Sequence, residues 1–517
     1  DAPEKLARWQ LTVYEPTPVP PWFGEGVTYQ IFPDRFRRVS MPDVSHMVGR
    51  RWLHSAWEDE PVYLPEENGE VTNRDFFGGS LAGITEKLDY LRSLSVTTLY
   101  LNPIFEAASN HRYDTADYRS IDPLLGTEED FRTLCREAHE RGMRVIVDGV
   151  FNHTGSNSRY FNAEGYYPEL GAAQSRESPY FGWYSFHPWP SQYDAWWGVR
   201  TLPAVNEERP DYRDFIFGGE DSVVRRWLRC GADGWRLDVA DELPGDFIEG
   251  IRAAMDAEKP GAYLLGEVWE DGSNKIAYSR RRRYLLGRET HGLMNYPFRT
   301  ALLDWLGGGD AAAFRDSMET IRENYPPAAF YGAMNFLGTH DTPRILTLLG
   351  AAQTPGTKRE RAAYRLSPDE LDRGVRKLRL AAMLLYTFPG SPTVYYGDEA
   401  GMQGFEDPLN RSTFPWGQED ADLTAFFRTL GQLRTARESL RRGTLGYIYA
   451  QGGGLVIRRD TEGERTVTAL NAGASPLPVT LEWDAPTATD AVTGQRFLTI
   501  GGQVHLSLPP LDGVILI

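Results

Sequence analysis

Eight short apolar segments, rich in β-branched and aromatic residues, recur along the chain and end in polar residues. Most are followed by a segment whose apolar residues recur at spacings of three and four, as on one face of a helix. The strand-like segments are 27–32, 97–101, 145–147, 234–237, 263–265, 293–296, 335–337 and 393–396, and the helix-like segments are 81–94, 128–141, 222–230, 244–257, 311–324 and 375–386. Eight strand–helix units in sequence predict an α/β fold, a (β/α)₈ TIM barrel of parallel strands.

Two regions depart from this alternation. Residues 154–205 are rich in Trp, Tyr, Ser and Pro and are too long for an ordinary connection after the third strand, so they predict a small inserted domain B. Residues 442–517 show alternating segments separated by Gly- and Asn-rich turns, which is typical of an antiparallel β-sandwich. The predicted organisation is an N-terminal remnant and linker (1–22), a barrel (23–153 and 206–441), the insert (154–205) and a C-terminal β-sandwich (442–517).

The overall charge limits the kind of partner. The chain has 72 acidic and 55 basic residues and a net charge of −17, so most of its surface repels nucleic acid and anionic membranes. No apolar run is long enough to predict a transmembrane helix. The two cysteines, Cys135 and Cys230, lie far apart in helix-like segments and are expected to be reduced, buried thiols. With no visible signal peptide, they favour a cytoplasmic location.

Four of the strand-like segments end in an acidic residue, namely Asp148, Asp238, Glu267 and Asp341. In a parallel barrel the carboxyl ends of the strands meet at one face, where active sites are built. A single acid at a strand end is usually a helix cap or half of an ion pair. Four acids on one rim repel each other, so the cluster favours catalysis or binding over a structural role.

Paired carboxyl groups suit glycoside hydrolysis, in which one protonates the leaving oxygen and the other attacks the sugar or activates water. Arg236 precedes Asp238 by two residues, so both side chains point to the same side of the strand and Arg236 can keep Asp238 ionised. Glu267 ends an apolar strand near Trp269, a setting that suits a general acid. His153 and His340 stand beside the rim and can hydrogen-bond sugar hydroxyls.

Four segments of the chain resemble the signature regions of a known family. The segments 148–153 (DGVFNH), 234–242 (GWRLDVADE), 266–269 (GEVW) and 336–341 (FLGTHD) resemble, in order, the four signature regions of the α-amylase family of glycoside hydrolases. The resemblance covers the chain from about residue 22. It implies Asp238 as nucleophile, Glu267 as general acid/base and Asp341 as a third carboxylate that binds the distorted sugar. Arg236, His153 and His340 match the supporting residues of the family.

Other segments are similar to one branch of this family, the neopullulanases, cyclomaltodextrinases and maltogenic amylases. They are 29–36 (YQIFPDRF), 75–91, 101–118, 340–344 (HDTPR) and 395–399 (YYGDE). The comparison implies that Tyr113 stacks under the sugar at the cleavage point, with His111 nearby. It further implies that Asp407 and Arg411 hold the next sugar on the non-reducing side, and that Trp269 lies on the leaving-group side.

The sequence also departs from this branch. Asp241 stands where the branch commonly has Asn, and Glu270 stands where it commonly has His. The resemblance implies that both positions face the leaving-group sites, so the balance of hydrolysis, transfer and branch-point cleavage is left open. Only a remnant (8–16) of the branch's usual N-terminal domain precedes the barrel, which leaves the oligomeric state open. The calcium-binding loop expected after 32–36 is not visible in 37–49. No cofactor is therefore expected to be required; a structural calcium ion stays open, with Asn152 as a candidate ligand.

The resemblance implies retaining, endo-type hydrolysis of α-1,4-glucosidic bonds in maltodextrins, and also in cyclodextrins and pullulan. The expected partners are therefore α-glucan oligosaccharides. One alternative is an α-glucosidase or oligo-1,6-glucosidase, which is disfavoured because those relatives commonly have NHD in place of 339–341. Another is a catalytically silent glucan-binding relative, which is disfavoured because all three carboxylates are present.

Overall fold

A computed structural model describes residues 9–43, 51–65 and 71–517. Eight parallel strands form one sheet in the order β6-β5-β4-β3-β2-β1-β8-β7. They are β1 Val27–Ile31, β2 Val96–Leu101, β3 Arg144–Gly149, β4 Gly234–Leu237, β5 Tyr263–Gly266, β6 Gly292–Leu293, β7 Met334–Phe336 and β8 Ser391–Tyr395. A parallel bridge between Met294 and Met334 joins the two outer strands. The sheet closes on itself, and the predicted barrel is confirmed.

The helices between and around the strands agree with most of the predicted segments. They are Pro33–Phe36, Leu81–Glu86, Leu88–Ser93, Glu128–Glu140, Pro210–Arg213, Val223–Cys230, Gly245–Glu258, Tyr296–Leu306, Ala311–Asn324, Pro327–Tyr331, Ile345–Gly350, Lys358–Ala363, Pro368–Thr387, Ala421–Ala436 and Glu438–Arg442. The helix predicted over 81–94 is interrupted at Lys87. The helix predicted over 375–386 starts earlier, because Ser367 caps its first turn and Pro368 fits the first helical position.

The sixth strand differs from its prediction over 293–296. It ends at Leu293, and Tyr296 already begins a helix. The side chain of Asn295 accepts a hydrogen bond from Phe298 N, and Pro297 fits the first turn of a helix. The apolar residues at 293–296 therefore belong partly to a helix start, which a short apolar run does not distinguish from a strand.

Alternation along the strands decides which side chains enter the barrel. In β3, Ile146 belongs to the cluster inside the barrel, whereas Val145 and Val147 pack toward the helices. Leu265 of β5 lies in the same inner cluster. Two residues further on, Asp148 and Glu267 therefore point inward at the carboxyl ends of the strands. The hydrophobic pattern of the strands thus positions the acids.

The two regions outside the strand–helix pattern have different structures. Residues 154–205 contain the short 3₁₀ turns Phe181–Trp183 and Trp196–Gly198 and a set of packed aromatic rings. After the barrel come β9 Thr444–Gln451, β10 Gly454–Thr461, β11 Glu464–Asn471, β12 Leu477–Glu482, β13 Thr487–Thr489, β14 Arg496–Leu498, β15 Gln503–Leu508 and β16 Asp512–Leu516. Antiparallel sheet β9-β10-β11-β16 packs on the β12–β15 pair through a shared apolar core. This confirms a C-terminal β-sandwich.

The remaining predictions about the chain have mixed outcomes. Cys135 and Cys230 are both buried and unpaired, as expected. Among the described helices, none has the length and apolar composition needed to cross a membrane. The exact domain boundaries stay predictions. Residues 1–8 of the N-terminal remnant and 44–49 of the stretch searched for a calcium loop lie outside the described residues.

Gly234 allows β4 and β5 to approach each other closely. A Cβ atom at this position would lie 2.3 Å from the backbone oxygen of Tyr263, which is shorter than any contact between these atoms. Gly234→Ala is therefore expected to separate the strands and to lower stability by about 1–3 kcal/mol. Because Arg236 and Asp238 follow on β4, we also expect kcat to fall. Thermal unfolding and kcat should be measured together. Gly356→Ala serves as the control, because Gly356 is exposed and a Cβ atom there would have only an ordinary contact, 3.7 Å from Glu360 Oε2.

Candidate active site

An open cleft of about 730 Å³ lies at the carboxyl ends of the barrel strands. Ten of the residues selected from the sequence line it: His111, Tyr113, His153, Asp238, Glu267, Trp269, His340, Asp341, Asp407 and Arg411. The eleventh, Arg236, is fully buried beneath the cleft. Residues from distant parts of the sequence are thus brought to one place. The strand-end argument predicted this for the acids, whereas for His111, Tyr113, Asp407 and Arg411 it was implied by the resemblance.

Arg236 binds three carboxylates at the floor of the cleft. Its Nη1 lies 2.7 Å from Asp238 Oδ1 and 2.8 Å from Asp148 Oδ1. Its Nη2 lies 2.9 Å from Glu267 Oε2. One cation therefore balances three acids, and this buried group would be unstable if the guanidinium were absent. The prediction that Arg236 and Asp238 point to the same side is confirmed.

Glu267 is held by contacts to both of its oxygens. Oε2 accepts a 2.9 Å hydrogen bond from Val239 N in addition to its contact with Arg236. Oε1 accepts a 3.2 Å bond from Trp269 Nε1. Val239 has a φ of 40°, a strained value for a β-branched residue. This backbone conformation turns its N–H toward Glu267.

A hydrogen-bonded chain supports Asp148 from the other side of the cleft. Gln30 Nε2 lies 2.9 Å from His340 Nδ1, which must accept this bond, so His340 Nε2 carries the proton. That N–H points to the Tyr113 hydroxyl at 2.7 Å, and the hydroxyl donates to Asp148 Oδ2 at 2.9 Å. The rings of Tyr113 and His340 are nearly parallel, with centroids 5.2 Å apart. Tyr113 is thereby fixed at the cleft floor.

The third predicted carboxylate, Asp341, is more accessible than the other two, with 33% of its side chain exposed. Its Oδ2 lies 3.1 Å from His340 Nε2, and its Oδ1 lies 3.6 Å from Arg411 Nη2. Arg411 also contacts Asp407, at 2.8 Å between Nη1 and Oδ1. Asp341 and Asp407 therefore both contact Arg411, and both present carboxyl oxygen atoms to the cleft.

Burial dominates the electrostatics of these groups. It raises the pKa of Asp238 well above the ordinary value of 3.8, while Arg236 opposes this rise and Glu267 adds to it. Burial also lowers the pKa of His340 well below its usual range and that of His153 to about 4. Both imidazoles are therefore neutral near neutral pH, and they act as hydrogen-bonding groups rather than as cations.

A pH dependence follows from the raised pKa of Asp238. A carboxyl group attacks carbon only when ionised, so activity falls once the pH drops below its pKa. Because that pKa lies above 3.8, the acid limb of kcat/KM is expected above pH 3.8. The profile should be measured on maltotriose over the acid range, with circular dichroism at each pH to exclude unfolding. An acid limb at or below 3.8 would contradict the assignment.

The sequence did not identify every residue of the site. Asp148 was recognised only as a strand-end acid, yet it binds Arg236, Tyr100 and Tyr113. Trp196, Trp197 and Glu242 also line the cleft, and they come from irregular segments whose direction the sequence does not specify. The tryptophan content of the insert was the signal available for Trp196 and Trp197, and Glu242 ends the signature segment 234–242.

The surroundings of Asn152 test whether it could hold a calcium ion. Its Nδ2 donates to Glu207 Oε1 at 3.2 Å, and its Oδ1 lies 3.2 Å from His153 Nδ1. Within the described ranges no group of three or more His, Cys, Asp or Glu side chains is placed to bind a metal. Calcium takes 6–8 oxygen ligands, which include amide and backbone oxygens, so a structural calcium ion at Asn152 stays a prediction.

Comparisons with known proteins agree with this arrangement. The family described as "Alpha amylase, catalytic domain" matches residues 30–441. An amylopullulanase of Thermoanaerobacter thermohydrosulfuricus is 38% identical over 569 residues, which cover 98% of this chain and 37% of that protein. The chain therefore spans less than half the length of that relative.

The matches to two further relatives cover more of each relative's length. A cyclomaltodextrinase of Geobacillus thermopakistaniensis (strain MAS1) is 34% identical, with 96% of this chain and 77% of that protein covered. The structure of the type III pullulan hydrolase from Thermococcus kodakarensis superposes with a TM-score of 0.80 at 31% identity, covering 97% of this chain and 83% of that one. The chain belongs to the α-amylase family, within the branch of neopullulanases, cyclomaltodextrinases and maltogenic amylases that the sequence resemblance indicated.

Proposed function

We propose that the protein is a retaining, endo-acting glycoside hydrolase that cleaves α-1,4-glucosidic bonds in maltodextrins, and also in cyclodextrins and pullulan. One observation carries the proposal: Arg236 holds Asp238 and Glu267 side by side on its two terminal nitrogens, at 2.7 and 2.9 Å. This places a nucleophile and a proton donor at the floor of an open cleft.

The short spacing of the two carboxyl groups favours retention of configuration. Retaining glycosidases have carboxyl groups about 5–5.5 Å apart, whereas inverting enzymes need about 6.5–9.5 Å to admit a water molecule between acid and base. Asp238 and Glu267 bind neighbouring nitrogens of the same planar group. Such an arrangement leaves little room for an intervening water.

In the first step, Asp238 attacks the anomeric carbon. Its Oδ1 is bound to Arg236, so Oδ2 is the oxygen available to form the bond. As the bond from carbon to the glycosidic oxygen breaks, its electron pair stays on that oxygen, which takes the proton of Glu267. The products are a glycosyl-enzyme ester on Asp238, a shortened glucan with a free hydroxyl, and an ionised Glu267.

In the second step, the ionised Glu267 removes a proton from water. The resulting oxygen attacks the anomeric carbon, and the bond to Asp238 Oδ2 breaks. Asp238 and Glu267 return to their starting protonation states. Asp341 is proposed to bind hydroxyls of the distorted sugar, with Tyr113 packing beneath the ring. These steps use only side chains of this chain, so no cofactor is proposed.

The proposed substrate class is supported by the names of the relatives. The names of those relatives refer to cyclomaltodextrin and to pullulan. An open cleft with aromatic residues at its floor and walls, among them Tyr113 and Trp269, suits long and cyclic glucans. An exo-acting α-glucosidase would need a cleft closed at one end. A silent glucan-binding relative would not need Arg236 to keep three acids together.

The product profile on three substrates tests the proposal. γ-Cyclodextrin, pullulan and soluble starch should be incubated in parallel, with the anomeric form of fresh product followed by NMR. Opening of the ring and release of α-configured maltose or panose are expected. Release of glucose alone from chain ends would favour an α-glucosidase, and β-configured products would contradict the retaining mechanism. Binding of all three without turnover would favour the silent relative.

A further inference from the structure

Two adjacent tryptophans of the insert lie along one wall of the cleft. Both Trp196 and Trp197 line it, and their ring centroids are 5.7 Å apart. The Trp196 ring lies 5.3 Å from that of His153, which also lines the cleft. Trp197 is 79% exposed. An aromatic wall thus runs outward from the proposed cleavage point and presents a broad apolar face to solvent.

Trp197 is held in a defined orientation. Its backbone has a left-handed φ of 50°, a conformation that costs free energy in any residue other than glycine. Its Nε1 donates a 2.7 Å hydrogen bond to Glu242 Oε1. A ring fixed in this way loses little side-chain entropy when a ligand packs against it, so the exposed surface is preorganised for binding.

A second exposed aromatic residue reaches the same carboxylate from another part of the chain. Tyr278 lies at the turn between the short strands Ile276–Ala277 and Arg280–Arg281, and it is 66% exposed. Burial and the nearby Glu242 carboxylate raise the pKa of Tyr278 to about 12. Glu242 therefore lies close both to Trp197 of the insert and to Tyr278 of the hairpin that follows β5.

Glu242 lies on the proton-donor side of the cleft. It ends the 3₁₀ turn Ala240–Glu242, which directly follows Val239. The N–H of Val239 binds the proposed acid Glu267 at 2.9 Å. Trp269, which binds the other oxygen of Glu267, lines the cleft as well. Because the acid protonates the leaving oxygen, the Trp197–Tyr278 pair lies toward the departing part of the substrate.

We propose that Trp197 and Tyr278, both next to Glu242, form a binding site at the outer end of the cleft for the leaving-group end of a long α-glucan chain. This inference rests on the proposed function. The apolar faces of glucose rings would pack on the two aromatic rings, and the remaining lone pairs of Glu242 would accept sugar hydroxyls. Only chains that extend past Trp269 reach this site, so it makes the enzyme prefer long chains to short ones.

Calorimetry in a Glu267→Gln background tests the proposal, because binding is then measured without turnover. Maltotriose and maltoheptaose should be titrated into this protein with and without Trp197→Ala. We expect maltoheptaose to bind about tenfold more weakly once the indole is removed, with the affinity for maltotriose unchanged. Tyr278→Ala should give a smaller loss of the same kind.

Two controls separate binding from structure. Trp9 is 84% exposed and does not line the cleft, so Trp9→Ala should leave both affinities unchanged. Glu242→Gln retains a carbonyl oxygen for the Trp197 bond, so it should keep more affinity for maltoheptaose than Glu242→Ala.

Three results would overturn the inference. Unchanged maltoheptaose affinity in Trp197→Ala would show that the indole does not bind glucan. Equal losses for both sugars would place Trp197 at the cleavage point instead. Binding of neither sugar to the Glu267→Gln protein would reject the α-glucan function itself, and the inference with it.

Discussion

Replacing Asp238 by Asn is expected to lower kcat on maltotriose by about 10⁴- to 10⁶-fold, as loss of a nucleophile does in other covalent mechanisms. The amide of Asn cannot form the glycosyl ester, although it can still accept the hydrogen bond of Arg236 Nη1, which Asp238 accepts at 2.7 Å. The measurement is the initial rate of maltotriose cleavage at saturating substrate. Retention of more than about one hundredth of the wild-type rate would remove Asp238 from the chemistry.

The same substitution is expected to leave stability unchanged or to raise it. Three acids share the guanidinium of Arg236, and burial already raises the pKa of Asp238. Removing one negative charge therefore relieves repulsion, while Arg236 keeps two ionic partners. Thermal unfolding should show an equal or higher midpoint, which would rule out misfolding as the cause of the lost activity.

Asp233 provides the opposite control. This buried acid precedes β4 at the other end of the barrel and binds Lys259 at 2.9 Å and His139 at 2.7 Å. Asp233→Asn breaks charged hydrogen bonds to Lys259 and His139, whose side chains are 31% and 30% exposed, so it is expected to cost about 1–3 kcal/mol of stability. The folded enzyme should keep its kcat, because none of these groups lines the cleft. Together the two variants separate the acid used for catalysis from the acid used for folding.

The barrel was predictable because its signal is local and repeated. Strand β4 was predicted at its observed bounds, and the helix Ala311–Asn324 was too. The sixth strand was not predicted at its observed bounds, because Asn295 and Pro297 start a helix at the end of the apolar segment 293–296. Periodicity identifies the long elements, whereas a strand of two residues is set by its neighbours in the sheet rather than by its own sequence.

The site was predictable to the extent that it depends on strand direction. The period of two placed Arg236 beside Asp238, and the ion pair is present. The sequence did not identify Tyr113 as a partner of Asp148, because this contact joins two distant segments through a loop. The bond from Trp197 to Glu242 likewise joins an irregular insert to a short turn. Such contacts arise only when the complete chain has folded.

Replacing Glu267 by Gln is expected to lower kcat on maltotriose by about 10²- to 10⁴-fold, the usual contribution of a general acid or base. Gln keeps an oxygen for the bonds from Arg236 and Val239, so substrate affinity should change little. The informative comparison uses α-maltosyl fluoride, whose fluoride leaves without a proton. The first step should then proceed nearly normally, and the glycosyl-enzyme ester on Asp238 should accumulate and be visible by mass spectrometry.

The second half of the cycle separates the two roles of Glu267. Water needs a base to attack the ester, whereas azide does not. Azide should therefore restore the turnover of α-maltosyl fluoride by the Glu267→Ala variant, and the product should be α-maltosyl azide. Retention at the anomeric carbon would mean two successive inversions, the first by attack of Asp238 and the second by attack of azide on the ester. If Glu267 only bound substrate, the activity on maltotriose and the activity on α-maltosyl fluoride would fall equally. Azide would then restore neither, because no step would require a base.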